Sequence, residues 1–180
     1  LVAIRTENGE PLWEHRVMLP EGRSELERMV DVDASALVRG PLVYAVAYQG
    51  NVRAIRRADG TLLWEMPVSS FLDLSEGYGQ VYVVDEDDVI TAVDQNSADV
   101  AWRVESLWRR ELSPPIAFSN YVAVADSEGY LHILAQSDGR FMGRRKIDGK
   151  GVRSAMSYRD GILYVLGNSG KLQALEIEVR

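Results

Sequence analysis

AIRRADGTLLW, residues 54–64, sets an apolar strand end, an Asp59-Gly60 turn and a short run closing on Trp64 within eleven residues. The chain repeats that unit. Residues 3–13 read AIRTENGEPLW, residues 92–102 read AVDQNSADVAW, and residues 132–142 read HILAQSDGRFM, with Met142 where the other copies have Trp. The turns fall alike at Asn8-Gly9, Asp59-Gly60, Ala98-Asp99 and Asp138-Gly139. Trp13 and Trp64 lie 51 residues apart, Trp64 and Trp102 38, and Trp102 and Met142 40. A period near 40 is one four-stranded blade of a β-propeller. The longer first spacing holds an insertion around residues 20–30, and insertions in a regular repeat map to loops, where propellers carry function.

Outward from that unit the chain reads as all-β. Residues 1–17 supply the last two strands of one blade. Residues 33–68, 71–105 and 113–147 each supply a complete blade, and 152–180 an incomplete last one. Residues 18–32 form the inserted inter-blade loop. The run 42–48, LVYAVAY, is almost wholly apolar, as a central strand covered on both faces requires. No linker divides the blades, so one domain of about four blades is expected, half of a ring of about eight. The expected structural residues are the tryptophans Trp13, Trp64 and Trp102, which pack between blades and donate the indole N–H to a neighbouring carbonyl. Gly9, Gly60 and Gly139 join them, because their turns require positive φ.

Charge narrows the function. The 180 residues carry 27 acidic and 20 basic side chains, a net −7. That balance disfavours nucleic acid and anionic membrane as partners, since both demand a basic face. There is no cysteine, hence no disulfide and no thiolate chemistry. His15 and His132 stand alone on separate strands, which gives no expectation of a metal site or of any cofactor. Asp85-Glu86-Asp87-Asp88 lacks the spacing of a calcium loop and reads as a solvated acidic turn. Asp126, Ser127 and His132 lack a nucleophile elbow, so no catalytic residue is assigned. Trp108-Arg109-Arg110 reads as an inter-blade loop that adds a little partner surface. In the inserted segment, Ser24 and Glu27 fit a capping box as well as an irregular charged loop. Asp31 and Asp33 read either as caps of their own loop or as hydrogen-bond acceptors for a partner.

The segments Glu25-Leu-Glu-Arg-Met-Val-Asp-Val-Asp33, Val43-Tyr-Ala-Val-Ala-Tyr-Gln-Gly-Asn51 and Asp126-Ser-Glu-Gly-Tyr-Leu-His132, followed by Asp138-Gly-Arg-Phe141, carry a family resemblance. With the tryptophan-docking repeats, the chain resembles the quinoprotein-like eight-bladed propellers, and among them the BamB family of the outer-membrane β-barrel assembly machinery. It would correspond to the C-terminal half of that ring. The resemblance implies a non-catalytic scaffold on the periplasmic face of the outer membrane of a Gram-negative bacterium, lipid-anchored through an N-terminus absent from this chain. The implied partners are a periplasmic POTRA domain of BamA and other assembly-machinery subunits, with unfolded outer-membrane protein strands as clients. The family's Asp-Val-Asp loop would place Asp31 and Asp33 at the partner, supported by Arg28 and Met29. A second contact loop would lie upstream of Leu1. The alternative is a quinoprotein dehydrogenase binding pyrroloquinoline quinone and Ca²⁺. That resemblance rests on fold and repeat alone, without the vicinal cysteines such enzymes often use.

Overall fold

The computed structural model describes residues 1–18 and 33–177, and every regular element among them is a β-strand. The chain divides into two compact units, Leu1–Phe71 and Leu72–Arg180. The first holds a hairpin of β1 (Val2–Ile4) and β2 (Pro11–Glu14), then an antiparallel sheet of β3 (Leu37–Arg39), β4 (Leu42–Ala45), β5 (Asn51–Arg56) and β6 (Leu62–Pro67). The second holds two sheets of four strands and one of three. They are β7 (Ser75–Gly77), β8 (Gln80–Val84), β9 (Ile90–Asp94) and β10 (Val100–Val104); β11 (Ile116–Phe118), β12 (Tyr121–Ala125), β13 (Tyr130–Ala135) and β14 (Phe141–Lys146); and β15 (Ser157–Arg159), β16 (Ile162–Leu166) and β17 (Leu172–Glu176). Each sheet pairs its strands in sequence order, the up-and-down pattern of propeller blades.

Central strands show why the sequence folds this way. Val81-Tyr-Val-Val84 and Tyr121-Val-Ala-Val-Ala125 are buried at every position, because each strand is covered on both faces. Alternate side chains enter different cores. Ala123, Ala125, Leu131 and Ile133 join one cluster with Leu163, Val165 and Leu175. Val122, Val124 and Leu134 join another with Tyr82, Ile90 and Trp102.

The repeated turn is the same in all four copies. The N–H of Gly9, Gly60, Ala98 or Gly139 donates to the carbonyl four residues back, on Arg5, Arg56, Asp94 or Ala135, at 2.9–3.1 Å. The donor residue has φ between +63° and +75° in each case. In the third copy Ala98 therefore occupies the glycine position, so that turn is Ser97-Ala98 rather than Ala98-Asp99. Alanine is strained there. Asp94 supports it by accepting the N–H groups of Asn96 and Ser97 and the Ser97 hydroxyl. Those Ser97 and Asn96 amides hold the Asp94 carboxyl below its ordinary range.

The register corrects a second expectation. After each turn the outer strand carries a β-bulge, and the residue following it pairs with a fixed partner: Ala3 with Trp13, Ala54 with Trp64, Ala92 with Trp102. In the fourth copy Ile133 pairs with Gly143, and Leu134 with Phe141. Met142 is thus the bulged residue, equivalent to Leu12, Leu63 and Ala101, and Gly143 stands at the tryptophan position. The copy is one residue longer between Gly139 and that position than a match on Met142 supposes.

Candidate interaction surface

Two of the tryptophans sit in matching sockets. Trp13 Nε1 donates to Arg57 O at 2.8 Å, and Trp102 Nε1 donates to Gln136 O at 2.7 Å. Each acceptor lies three residues before a turn glycine, and that glycine lies under the indole. A Cβ on Gly60 would come within 2.7 Å of Trp13 Cε3, and one on Gly139 within 2.6 Å of Trp102 Cε3. Glycine is thus needed twice over, for positive φ and for close approach of the ring. Gly9 has the same turn, and no described residue of this chain comes within 4 Å of such a Cβ. Trp64 is half-buried, its ring 5.9 Å from that of Tyr44.

A polar knot accompanies the second socket. Asp126 is fully buried and its Oδ2 lies 2.8 Å from His132 Nε2 and 2.8 Å from Arg110 Nε, while Oδ1 accepts the Tyr130 amide. An ionised carboxylate only accepts, so Nε2 is the protonated nitrogen of His132. Arg110 Nη2 also lies 2.8 Å from Glu128 Oε2. Burial pushes the Asp126 carboxyl up, but the bonds from His132, Tyr130 and Arg110 outweigh it and hold the group below its ordinary range. Gly129 (φ +83°) completes the turn so close to Asp148 that a Cβ would overlap the Asp148 carbonyl. The motif Asp126-Ser-Glu-Gly-Tyr-Leu-His132 is therefore a structural knot. Among the described residues no hydroxyl lies in hydrogen-bond reach of His132 to act as a nucleophile.

Sequence reasoning missed a related clamp. Asp88, read as part of a solvated turn, is buried with φ +64° and accepts the amides of Glu111 and Leu112 at 2.7 and 2.8 Å. It ties the 105–112 loop to its own blade. Asp85 accepts the amides of Asp87 and Val89 and so closes the turn. His15 is likewise structural, its Nδ1 3.0 Å from Gly60 O. No group of three or more His, Asp or Glu is placed to hold a metal among the described residues.

The inserted loop was expected to face a partner. Arg28, Met29 and Asp31 lie outside the described residues, as does the Ser24–Glu27 capping box. Asp33 is described. It is exposed, four residues before β3, and its side chain makes no hydrogen bond or ion pair with another described residue. The chain leaves for the loop from a fixed point. Val17 is buried against Ala45 and Ala47 with Met18 beside it. The Met18 sulfur would lie 2.8 Å from a Cβ on Gly50, and Arg53 Nη1 donates to Arg16 O at 2.6 Å. Around this point Arg16, Met18, Gln49, Asn51 and Arg53 line an open hollow of about 320 Å³.

Comparison with known proteins follows the blades. The family model described as "Outer membrane protein assembly factor BamB" matches residues 1–104, 57–157 and 86–179. A protein of that name from Pseudomonas aeruginosa is 43% identical over 177 residues, covering 98% of this chain and 47% of its own length. The chain thus spans about half the length of the curated relatives it matches. The crystal structure of BamB from Moraxella catarrhalis superposes with a TM-score of 0.89 at 24% identity, over 98% of this chain and 52% of that one. A quinohemoprotein alcohol dehydrogenase from Pseudomonas putida superposes at 0.67 and 16% identity, over 86% of this chain and 29% of that one, a likeness of fold alone.

Proposed function

The chain belongs to the BamB family of outer membrane protein assembly factors, and from that premise we propose that it is part of a non-catalytic scaffold of the outer-membrane β-barrel assembly complex. In this reading it supplies about four blades of an eight-bladed ring. It works on the periplasmic face of the outer membrane, where it engages a POTRA domain of BamA and assists the folding and insertion of outer-membrane proteins. Family membership is the observation that carries the reading. Support from the residues is of two kinds. Among the described residues, His15, Asp88, Trp102, Asp126 and His132, the groups that would interest an enzymologist, each make hydrogen bonds within the fold. Asp33, by contrast, is an exposed acceptor beside a loop whose take-off is anchored.

The contact proposed is a pair of carboxylates, Asp31 and Asp33, accepting charge-assisted hydrogen bonds from Lys, Arg or backbone N–H groups of the POTRA domain, with Arg28 and Met29 packing alongside. Titration calorimetry of the chain against the isolated POTRA region tests it. The parent should bind, and Asp31→Arg/Asp33→Arg, still folded by circular dichroism, should weaken binding by about 2–5 kcal/mol. Binding indifferent to the charge reversal would remove this loop from the interface. No binding by either protein would remove this half of the ring from it. Addition of pyrroloquinoline quinone and Ca²⁺ should give no dye-linked alcohol oxidation; turnover would overturn the scaffold reading in favour of the dehydrogenase one.

A further inference from the structure

β14, Phe-Met-Gly-Arg-Arg-Lys over residues 141–146, is exposed at every position and is the outer strand of its sheet. In a chain of net charge −7 it carries three consecutive cations. The equivalent positions in other blades are neutralised locally. The residue after Trp64 is Glu65, which pairs with Arg53 at 3.0 Å, and the residue after Trp102 is Arg103, 3.6 Å from both Asp85 and Glu105. The residue after Gly143 is Arg144. Among the described residues no carboxylate lies within ion-pair distance of Arg144, Arg145 or Lys146. Arg144 and Lys146 are nonetheless held in place. Both lie over the Tyr130 ring, at 3.8 and 4.4 Å from its centroid, and Lys146 also donates to Glu128 O. Ring and carbonyl orient these charges without cancelling them.

Beside the strand lies a groove of about 510 Å³, lined among others by Leu107, Arg110, His132, Phe141, Met142 and Arg144. Phe141 and Met142 are each 46% exposed and supply apolar surface to its lining. Arg110 is already engaged by Asp126 and Glu128, so among the described residues Arg144 is the charge of the groove with no ion-pair partner. The loop on the far side presents Trp108, 55% exposed, with the Arg109 guanidinium 4.4 Å over its ring. Cations on an edge strand by themselves only discourage edge-to-edge pairing. Oriented cations without an ion-pair partner among the described residues, bordering an exposed apolar surface, ask for a ligand that answers both.

We propose that this groove, between the 105–110 loop and β14, docks an extended acidic segment of a partner polypeptide that also carries aromatic or aliphatic side chains. Its carboxylates meet Arg144 and Lys146, and its apolar side chains cover Phe141 and Met142. Arg145, paired opposite Leu131, points to the other face of the sheet and is outside the contact. The proposal is independent of the Asp31/Asp33 surface.

Fluorescence anisotropy of the full chain with three labelled peptides tests it at physiological ionic strength: Asp-Phe-Asp-Leu-Asp-Phe-Asp, the same peptide with Ser for Phe and Leu, and the same with Lys for Asp. The first should bind saturably and about tenfold or more tighter than either of the others. Arg144→Glu/Lys146→Glu should weaken it about tenfold or more, and Met142→Ser by a smaller factor. Arg5→Glu/Arg159→Glu, the same charge change on two exposed arginines elsewhere, should alter it less than about twofold. Equal binding of the serine peptide would reduce the groove to a polyanion patch. Equal loss in the distant charge reversal would make the attraction non-specific. Either result, or no saturable binding of the first peptide, overturns the proposal.

Discussion

Trp102 and Asp126 fasten the sheet of β11–β14 to what precedes it by opposite chemistry. The indole crosses from β10 to the turn of the next blade, lies on Gly139 and gives its single N–H to Gln136 O. The carboxylate is wholly buried and gathers donors from three places: the loop arginine Arg110, the β13 histidine and its own turn amide. An indole brings a large apolar area and one polar demand that a carbonyl satisfies. A buried carboxylate brings no apolar gain and is tolerable only while every donor stays in place. The first fastening is robust and repeated. The second is specific to one blade and conditional on charge.

The sharpest test of that contrast is deletion of each. Trp102→Ala should cost about 3–5 kcal/mol in urea unfolding, since the ring is buried and packs against Tyr82 with centroids 5.7 Å apart. A loss under about 1 kcal/mol would mean that the neighbouring blade closes over the gap.

Asp126→Asn should cost somewhat less, about 3 kcal/mol at neutral pH, because Arg110 keeps Glu128 as a partner. It should also change the acid limb of stability. The folded-state carboxyl titrates below its ordinary 3.8. Its contribution is therefore complete above that pH and lost as pH falls through the lower folded value. In a melting-temperature series from neutral pH downward, the parent should fall more steeply below about pH 4 than Asp126→Asn. A residual slope in the variant is expected from Asp148, whose carboxyl the Ser169 hydroxyl and the Lys150 amide also hold low. Parallel acid limbs would show that Asp126 is not the charged knot described.

How much of this was legible follows from the same contrast. The indole socket was readable because it recurs: tryptophan, turn and glycine keep fixed spacings, and a period survives in sequence. Its register was less readable. Matching the fourth copy on a large apolar residue put Met142 in the socket position, whereas the bulge takes Met142 and leaves Gly143 opposite Ile133. The four-residue step from the turn's glycine position to tryptophan in the other copies points to Gly143, and the strand pairing places it there. The carboxylate clamps were not legible at all. Asp88 and Asp126 sit among acidic and polar residues that look solvated; the donors to Asp88 and the Arg110 donor to Asp126 come from 16 to 24 residues away along the chain, while Tyr130 and His132 lie only four and six residues on from Asp126. A burial that depends on such partners leaves no local pattern. Of the four loop residues expected at the partner, Arg28, Met29, Asp31 and Asp33, Asp33 alone falls among the described residues, and its exposure agrees with either role read from sequence.

The smallest effect separates the two reasons for glycine in the repeated turn. Gly9 and Gly60 share hydrogen bonding and φ, +75° and +74°, but only Gly60 lies beneath an indole. Alanine at Gly9 should therefore carry the cost of positive φ alone, about 1 kcal/mol. Alanine at Gly60 must also push the Trp13 ring away from a 2.7 Å approach, which strains or breaks its bond to Arg57 O and should raise the cost to about 2–3 kcal/mol. Both changes fall in the same compact unit, so one unfolding transition compares them. In the background of Trp13→Ala the two costs should converge, because the indole is gone and only the backbone term is left. If Gly60→Ala stayed the worse variant in that background, the close approach of the ring would not be what fixes glycine there.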